Sequence, residues 1–324
     1  MSDLFAEWIN TMRAGDHERG WALSERQRQL AIDAGQRRDD PAQPYHLRWV
    51  WDGRPFEGRD VLVRCYHGLG DTIQFLRFLP ELRRRAASVT LELQPRLLPL
   101  VQNQAWVDRV IPFDMDRPHP PAECDIEIME LSLALRARPA NFPPPYLEAG
   151  SAPLAPDIVG LCCQAGGWDP ARSLPPEMLA DLCEGRECVT LDPLPSPLPV
   201  ANPEGCPFDL VQTAELVAGA ALVITVDTMI AHLAGALNRP TWLMLKHQSD
   251  WRWTPQLGRS EWYPSMRLYA QPSPGDWSSV VTAIAHDLDE LIPKRSQPHE
   301  PRLPICPGVL GRVAGQDHHP ANQV

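Results

Sequence analysis

This sequence could carry out chemistry at Asp227, Thr228 and Met229. They directly follow residues 221–226, a short apolar run rich in β-branched side chains that predicts a buried strand. Apolar residues then recur at helical spacing until Pro240, which predicts a helix. Open parallel sheets bind ligands at the carboxyl ends of their strands, and the first N–H groups of a helix suit a diphosphate. We therefore predict a ligand site here; the alternative is that Asp227 or Thr228 only caps the helix.

A second candidate is Asp71, the last residue of a glycine-rich turn at residues 67–71. The glycines allow a tight turn and a close approach of backbone to a ligand. A dinucleotide fingerprint would need a third glycine where Ile73 stands, which argues against a nicotinamide or flavin site. Asp71 could accept a proton from an acceptor hydroxyl, or it could serve only as the N-cap of the following helix.

Three further features each have a functional and a structural interpretation. Arg172, on the loop at residues 164–173, could pair with a phosphate through its fork of donors, or it could be an exposed surface residue. His232 could contact a ligand or be packed inside its helix. The D-W-R-W sequence at residues 250–253 could line a sugar or nucleotide site, or it could be an aromatic cluster that holds a loop down.

Charge and composition exclude several classes of function. The formal net charge of −11 and the pI of about 5.4 argue against a nucleic-acid partner, which needs a basic face. The eight cysteines include no C-x-x-C pair, so we expect reduced thiols and no metal site. No apolar run approaches the ~20 residues of a membrane span, and residues 1–8 do not resemble a signal peptide. We expect a protein with no integral membrane segment, in the cytoplasm or peripheral at the inner membrane face.

The chemistry-bearing residues sit in a chain that alternates between strand and helix patterns, which predicts two α/β domains with largely parallel sheets. The predicted strands cover residues 61–66, 88–93, 107–113, 125–129, 158–164, 188–191, 221–226 and 241–245. The main predicted helices cover residues 72–86, 95–103, 175–182, 208–218, 229–237 and 278–291, with Pro80 expected to kink or break the first. We predict a helical extension at 1–44, domains at 45–150 and 151–292, and a disordered Pro-rich tail at 293–324.

Three spans then resemble one known family. They are G-L-G-D-T-I-Q-F at 68–75, F-L-P-E-L at 78–82 and D-T-M-I-A-H-L-A-G-A at 227–236. Together they resemble the signature regions of the ADP-heptose:lipopolysaccharide heptosyltransferases, glycosyltransferase family 9. The resemblance runs from about residue 60 to about residue 290. It is closest to the branch often fused to tetratricopeptide repeats, of which residues 1–44 could be a remnant.

The resemblance implies a GT-B architecture, in which two Rossmann-like domains face one another across a cleft, here with a short N-terminal helical extension. It implies an inverting transfer from a nucleotide-sugar, with an ADP-linked donor, to a glycan, lipid or protein hydroxyl, with no cofactor and no metal. By motif, Asp71 matches the general base. The donor-binding residues would be Arg172, Ser173, Asp227, Thr228, Met229 and His232. The acceptor-side loop would include Gly68, Gly70, Thr72 and Gln74.

Other functions stay open from the sequence. The loop at residues 164–173 is shorter than in such relatives, which favours a catalytically degenerate GT-B binding or scaffold protein as the alternative. A GT-B sugar epimerase, which would release free sugar, is a weaker option. A nicotinamide oxidoreductase fits least, because the third glycine is missing.

Overall fold

A computed structural model describes residues 2–295 of the chain. The chain divides into two compact units, which we call unit 1 and unit 2. Unit 1 comprises Met1–Leu147 together with Asp250–Thr254, and unit 2 comprises Glu148–Ser249 and Pro255–Val324. The short segment Asp250–Thr254 falls within the predicted second domain, whereas its contacts assign it to unit 1.

Unit 1 begins with two helices, α1 (Ser2–Arg13) and α2 (His17–Asp33), so the predicted helical extension is confirmed. Asp16 caps α2, because its side chain accepts the N–H of Arg19 at 3.2 Å. Trp21 and Leu23 of α2 are buried and give the pair of helices an apolar inner face.

The sheet of unit 1 is entirely parallel. Its strands are β1 (Asp60–Arg64), β2 (Ser88–Leu93), β3 (Arg109–Pro112) and β4 (Asp125–Glu127), in the order β3-β2-β1-β4. Its helices are α3 (Leu69–Phe75), α4 (Leu79–Arg85), α5 (Leu98–Val101) and α6 (Leu131–Leu135). A single 3₁₀ turn, Leu76–Phe78, separates α3 from α4, which is the break expected from Pro80.

Unit 2 also has an all-parallel sheet. Its strands are β5 (Val159–Cys162), β6 (Cys188–Thr190), β7 (Leu222–Val226), β8 (Thr241–Leu245) and β9 (Met266–Ala270), in the order β6-β5-β7-β8-β9. Its helices are α7 (Ala180–Cys183), α8 (Leu210–Gly219), α9 (Met229–Ala236) and α10 (Trp277–Leu291). Strand β9 is absent from the sequence-based prediction.

The two sheets confirm the α/β fold class and fix where ligands are expected. In unit 1, β2 and β3 lie on one side of β1 and β4 lies on the other. In unit 2, β6 lies on one side of β5, and β7, β8 and β9 lie on the other. The strand order therefore reverses between β1 and β4 and between β5 and β7. Ligands of open α/β sheets bind at the carboxyl ends of the strands at such a reversal. We refer to these two places as the unit 1 edge and the unit 2 edge.

Most of the predicted tail at residues 293–324 lies outside the described residues. Its first residues are held in place: Lys294 pairs with Glu184, and Arg295 pairs with Asp157 and Glu187. Among residues 2–295, no helix has both the length and the apolarity needed to cross a membrane. The seven cysteines in this part of the chain are buried and free of disulfides.

Candidate active site

Asp71 lies at the unit 1 edge, but not as the N-cap of its helix. Helix α3 begins three residues earlier than predicted, at Leu69, because Gly68 takes the extended N-cap conformation. Asp71 therefore sits in the first turn, where its Oδ2 accepts the N–H of Gly68 at 3.2 Å. Its side chain is 28% exposed, so the carboxylate remains open to a ligand.

Arg252 is the second partner of Asp71, and its guanidinium donates to the Oδ1 atom of that carboxylate. The same guanidinium donates to Gln74 and to Asp250 and lies 4.7 Å from the centre of the Trp251 ring. The D-W-R-W motif therefore contributes a charged contact at the unit 1 edge. A site role for this motif was one of its two predicted interpretations, but no sequence pattern links the motif to Asp71.

The four predicted acceptor-loop residues fall into two groups. Gly68 and Gly70 are half-exposed at the start of α3. Thr72 and Gln74 are fully buried, with Thr72 donating to Gln94 at 3.1 Å. The acceptor contact of Thr72 and Gln74 stays a prediction, and in this structure both side chains face the interior of unit 1.

His67 and Glu127 form a second polar pair at this edge, with His67 Nδ1 3.1 Å from Glu127 Oε1. Burial acts to lower the pKa of His67, but the charge and hydrogen bond of Glu127, helped by Asp71, raise the pKa above its ordinary value. Glu127 also accepts the N–H of Tyr66 at 3.2 Å. This pair fixes the chain where it leaves β1.

A buried ion cluster lies beneath these residues. Arg64, at the end of β1, pairs with Glu92 and Asp125 at 2.7 Å each, and all three side chains are at most 3% exposed. Arg64 also donates to the carbonyl oxygens of His119 and Pro120, so it ties the chain between β3 and β4 to the sheet. Every nitrogen of the guanidinium thus has an acceptor, as a buried charge requires.

At the unit 2 edge, Asp227, Thr228 and Met229 are half-exposed at the junction of β7 and α9. Thr228 occupies the N-cap position, yet its side chain makes no capping hydrogen bond. The first N–H groups of α9, like those of any helix, have no carbonyl partner inside the helix. This junction therefore has the features that suit an anion.

Arg172 joins the loop after β5 to the end of β7, because its Nη1 donates to the main-chain oxygen of Asp227 at 2.9 Å. Its guanidinium lies 4.4 Å from the centre of the exposed Trp168 ring. Ser173 accepts the N–H of Ala165 at 2.9 Å, so its hydroxyl closes the base of the loop. Arg172 and Asp227, predicted from separate motifs, are thus direct neighbours.

Asp192, just after β6, holds the start of the same loop. Its carboxylate accepts the N–H groups of Cys163 and Gln164 at 2.9 and 3.0 Å. The thiols of Cys162 and Cys163 donate to it at 3.2 Å each. Burial, and then the charge of Asp192, raise the pKa of Cys163 to about 12, so the thiols stay protonated as donors.

Lys246 is a cation at this edge that the sequence analysis does not single out. It follows β8 directly, and its Nζ lies 2.7 Å from Asp169 Oδ2 on the loop that carries Arg172. The rule that drew attention to Asp227, a polar residue directly after a buried strand, would have found Lys246 as well.

His232 lies one turn into α9 and is only 5% exposed. Its Nδ1 is 3.0 Å from the hydroxyl of the buried Tyr263. The structure therefore favours the interpretation of His232 as a packed residue that supports the helix. Its predicted direct contact with a ligand is not supported by this burial.

Among the described residues, no group of three or more His, Cys, Asp or Glu side chains is arranged to hold a metal ion.

Comparison with known proteins finds one matching family model and several similar solved structures. Residues 206–262, which contain α8, β7, α9 and β8, match the family model of glycosyltransferase family 9 (heptosyltransferase). The glycosyl transferase family 9 protein from Veillonella parvula DSM 2008 has a TM-score of 0.53 at 12% identity, over 74% of this chain and 98% of that chain. No curated protein sequence matches.

Two Escherichia coli structures are also similar, at TM-scores too low to support an argument. Heptosyltransferase WaaC with ADP has a TM-score of 0.44 at 15% identity, over 72% of this chain and 98% of that chain. ADP-heptose LPS heptosyltransferase II has a TM-score of 0.47 at 16% identity, over 72% of this chain and 98% of that chain.

The two units have the α/β fold with parallel sheets that the GT-B prediction requires, and the Veillonella parvula structure is similar in fold. The match to the family model covers the segment around Asp227, and there the chain is similar to glycosyltransferase family 9 (heptosyltransferase).

Proposed function

We propose that the protein is an inverting glycosyltransferase. It moves a sugar, heptose by similarity to its family, from a nucleoside diphosphate to a hydroxyl of a glycan, lipid or protein. The observation that carries this proposal is the contact between Arg172 and the main-chain oxygen of Asp227. It joins the loops after β5 and β7 at the strand reversal of unit 2, where a nucleotide is expected.

The unit 2 edge would bind the donor through its diphosphate. Arg172 supplies a planar fork of donors, Lys246 a point charge, and α9 its first N–H groups. Thr228, with no capping bond to make, can donate its hydroxyl to a phosphate oxygen. These groups would stabilise the charge that develops on the departing diphosphate, so the proposal needs no cofactor. An ADP-linked sugar is the first donor to test.

The unit 1 edge would activate the acceptor through Asp71. The acceptor oxygen attacks the anomeric carbon as the bond to the diphosphate breaks, and the hydroxyl proton passes to the Asp71 carboxylate. The 28% exposure of this side chain leaves room for a hydroxyl beside it. For a lipid acceptor, we place the reaction on the cytoplasmic face of the membrane.

Thermal-shift measurements with ADP, UDP, GDP, CDP and NAD at equal concentration test the donor half. A ligand at ~100 times its dissociation constant adds about 2.7 kcal/mol of stability. We expect a selective shift with ADP that R172M reduces. A shift with a different nucleoside diphosphate would change the donor, and no shift with any nucleotide would support a non-catalytic binding protein instead.

Asp71→Asn tests the base. We expect loss of turnover by about 10²–10⁴-fold, measured as ADP release from ADP-heptose with deacylated lipopolysaccharide core as acceptor. The ADP-induced thermal shift should be unchanged, because Asp71 lies in unit 1 and the donor residues lie in unit 2. A D71N variant with full activity would contradict the base assignment.

A further inference from the structure

The segment Asp250–Thr254 comes from the second half of the chain but belongs to unit 1 by its contacts. Its Arg252 is only 9% exposed, and each guanidinium nitrogen has a side-chain acceptor. Nη2 donates to Asp71, Nε to Gln74, and Nη1 to Asp250 at 2.9 Å. A guanidinium with three separate acceptors has one orientation, so Arg252 is fixed against Asp71.

The placement of Gln74 in unit 1 also depends on this orientation of Arg252. Since Arg252 Nε can only donate, the amide oxygen of Gln74 must face it. The amide nitrogen of Gln74 is then buried and has no hydrogen-bond partner among the described residues. An unpaired buried donor is unfavourable, which indicates that the contact with Arg252 determines how this side chain is placed.

Two tryptophan rings connect Arg252 to helix α1. The guanidinium lies over the Trp251 ring at 4.7 Å. The Trp251 ring in turn meets the Trp8 ring edge-on at a centroid distance of 5.0 Å. Trp8 is fixed between the two N-terminal helices, since its Nε1 donates to Ser24 of α2 at 2.9 Å. A continuous series of contacts therefore runs from the N-terminal helices to Asp71.

We propose that Arg252 is a positioning residue for the base Asp71, and that the N-terminal helices hold it there through Trp8 and Trp251. The proposal rests on the proposed function, in which Asp71 accepts the acceptor proton. Gly68 N–H holds one oxygen of the carboxylate and Arg252 holds the other, so the carboxylate cannot rotate away from the acceptor. Arg252 keeps its own protons throughout and takes no part in bond making.

This proposal also gives the N-terminal extension a role. The extension could have been a remnant of a repeat array that binds a partner. Its contacts instead make it part of the support for the acceptor-activating residue. Substitutions in α1 should therefore change the rate of sugar transfer and leave donor binding unchanged.

The test compares Arg252→Gln and Arg252→Lys with the matched control Arg84→Gln. Arg84 is 75% exposed in the same unit, and its one ion-pair partner among residues 2–295 is the nearby Glu81. We expect R252Q to lower kcat for ADP-heptose about 10–100-fold at an unchanged KM for ADP-heptose, R252K to recover part of the loss, and R84Q to match the parent protein. A kcat within twofold of the parent in R252Q would overturn the proposal.

A double-mutant cycle with Asp71→Asn separates positioning from general support of the fold. If Arg252 acts through Asp71, R252Q costs nothing further in the D71N background. An equal loss in both backgrounds would overturn the proposal. An inactive D71N beside a fully active R252Q would leave the proposed function standing and remove only the role of Arg252. A fully active D71N would remove both.

Trp8→Ala and Trp8→Phe give a second test that leaves the charged cluster intact. We expect W8A to lower kcat about 3–10-fold, and W8F, which keeps an aromatic edge against Trp251, to lose less. The two Trp8 variants test the positioning role of Arg252 if R252Q does not fold. A W8A variant that folds, with kcat equal to that of the parent protein, would overturn the role of the N-terminal helices.

Discussion

The unit 1 edge and the unit 2 edge occupy equivalent places in their sheets but use charge in different ways. At the unit 1 edge, ionised side chains pair with one another: Asp71 with Arg252, and Arg64 with Glu92 and Asp125. At the unit 2 edge, Lys246 pairs with Asp169, whereas Arg172 donates to the main-chain oxygens of Asp227 and Gly166. Ion pairing at the unit 1 edge holds the Asp71 carboxylate in a fixed orientation. Arg172 has no carboxylate partner among residues 2–295, so it suits an incoming anion.

The difference also appears in burial. Arg64 is 1% exposed, and its removal would strand two buried carboxylates. Arg172 is half-exposed against Trp168, and its removal leaves a main-chain oxygen that water can reach. The same substitution, Arg to Met, should therefore damage the fold at the unit 1 edge and ligand binding at the unit 2 edge.

Arg64→Met should have the largest effect. Removing one member of a buried ion cluster lowers the free energy of unfolding by about 3–5 kcal/mol, because the remaining carboxylates have no counter-charge. Urea unfolding followed by circular dichroism measures the loss. Arg84→Met, at an exposed pair, is the control and should change stability by less than about 1 kcal/mol. Equal stability of R64M and R84M would remove the distinction between the two edges.

Arg172→Met should have the next largest effect, on binding. Loss of a charge-assisted hydrogen bond to phosphate costs about 1.5–3 kcal/mol, so ADP should bind about 10–100-fold more weakly. Titration calorimetry measures the affinity, with Arg259→Met, an exposed arginine of unit 2, as the control. Urea unfolding of R172M should match that of the parent closely. If R172M instead lost stability and kept its ADP affinity, the two edges would not differ as we describe.

Local patterns were sufficient to locate the main elements of each edge. The β-branched run before Asp227 predicted β7, and the helical spacing after it predicted the next helix. The strands at residues 88–93 and 241–245 were predicted with the bounds that the structure shows. Strand β9 was missed because Met266–Ala270 follows a proline and is interrupted by Arg267, so it lacks a clear apolar run.

Contacts between distant residues could not be predicted in this way. Arg252 lies 181 residues from Asp71 in the sequence, and no local pattern relates them. The buried Thr72 likewise donates to Gln94, 22 residues later, and the buried Gln74 accepts from Arg252. Polar residues at helical spacing beside a glycine turn suggest a ligand contact, and only the tertiary structure shows that their partners lie inside the protein.

The smallest expected effect concerns pH and the His67–Glu127 pair of the unit 1 edge. The pKa of His67 is raised in the folded protein, mainly by the charge of Glu127 acting against burial, with Asp71 raising it and Arg252 lowering it. The stabilisation is therefore fully present below the unfolded value of about 6.5 and is lost as pH rises through the raised folded value. For a pair of which His67 is 23% exposed, we expect at most about 1 kcal/mol.

His67→Gln tests this dependence. The difference in unfolding free energy between the parent protein and H67Q should be larger at pH 6 than at pH 8.5, as measured by urea unfolding at each pH. The sign follows from the charge of the imidazolium, because only the protonated ring attracts Glu127. A difference that stays constant, or that grows with pH, would show that His67 acts at this edge through packing and not through charge. The self-paired character of the unit 1 edge would then rest on the arginines alone.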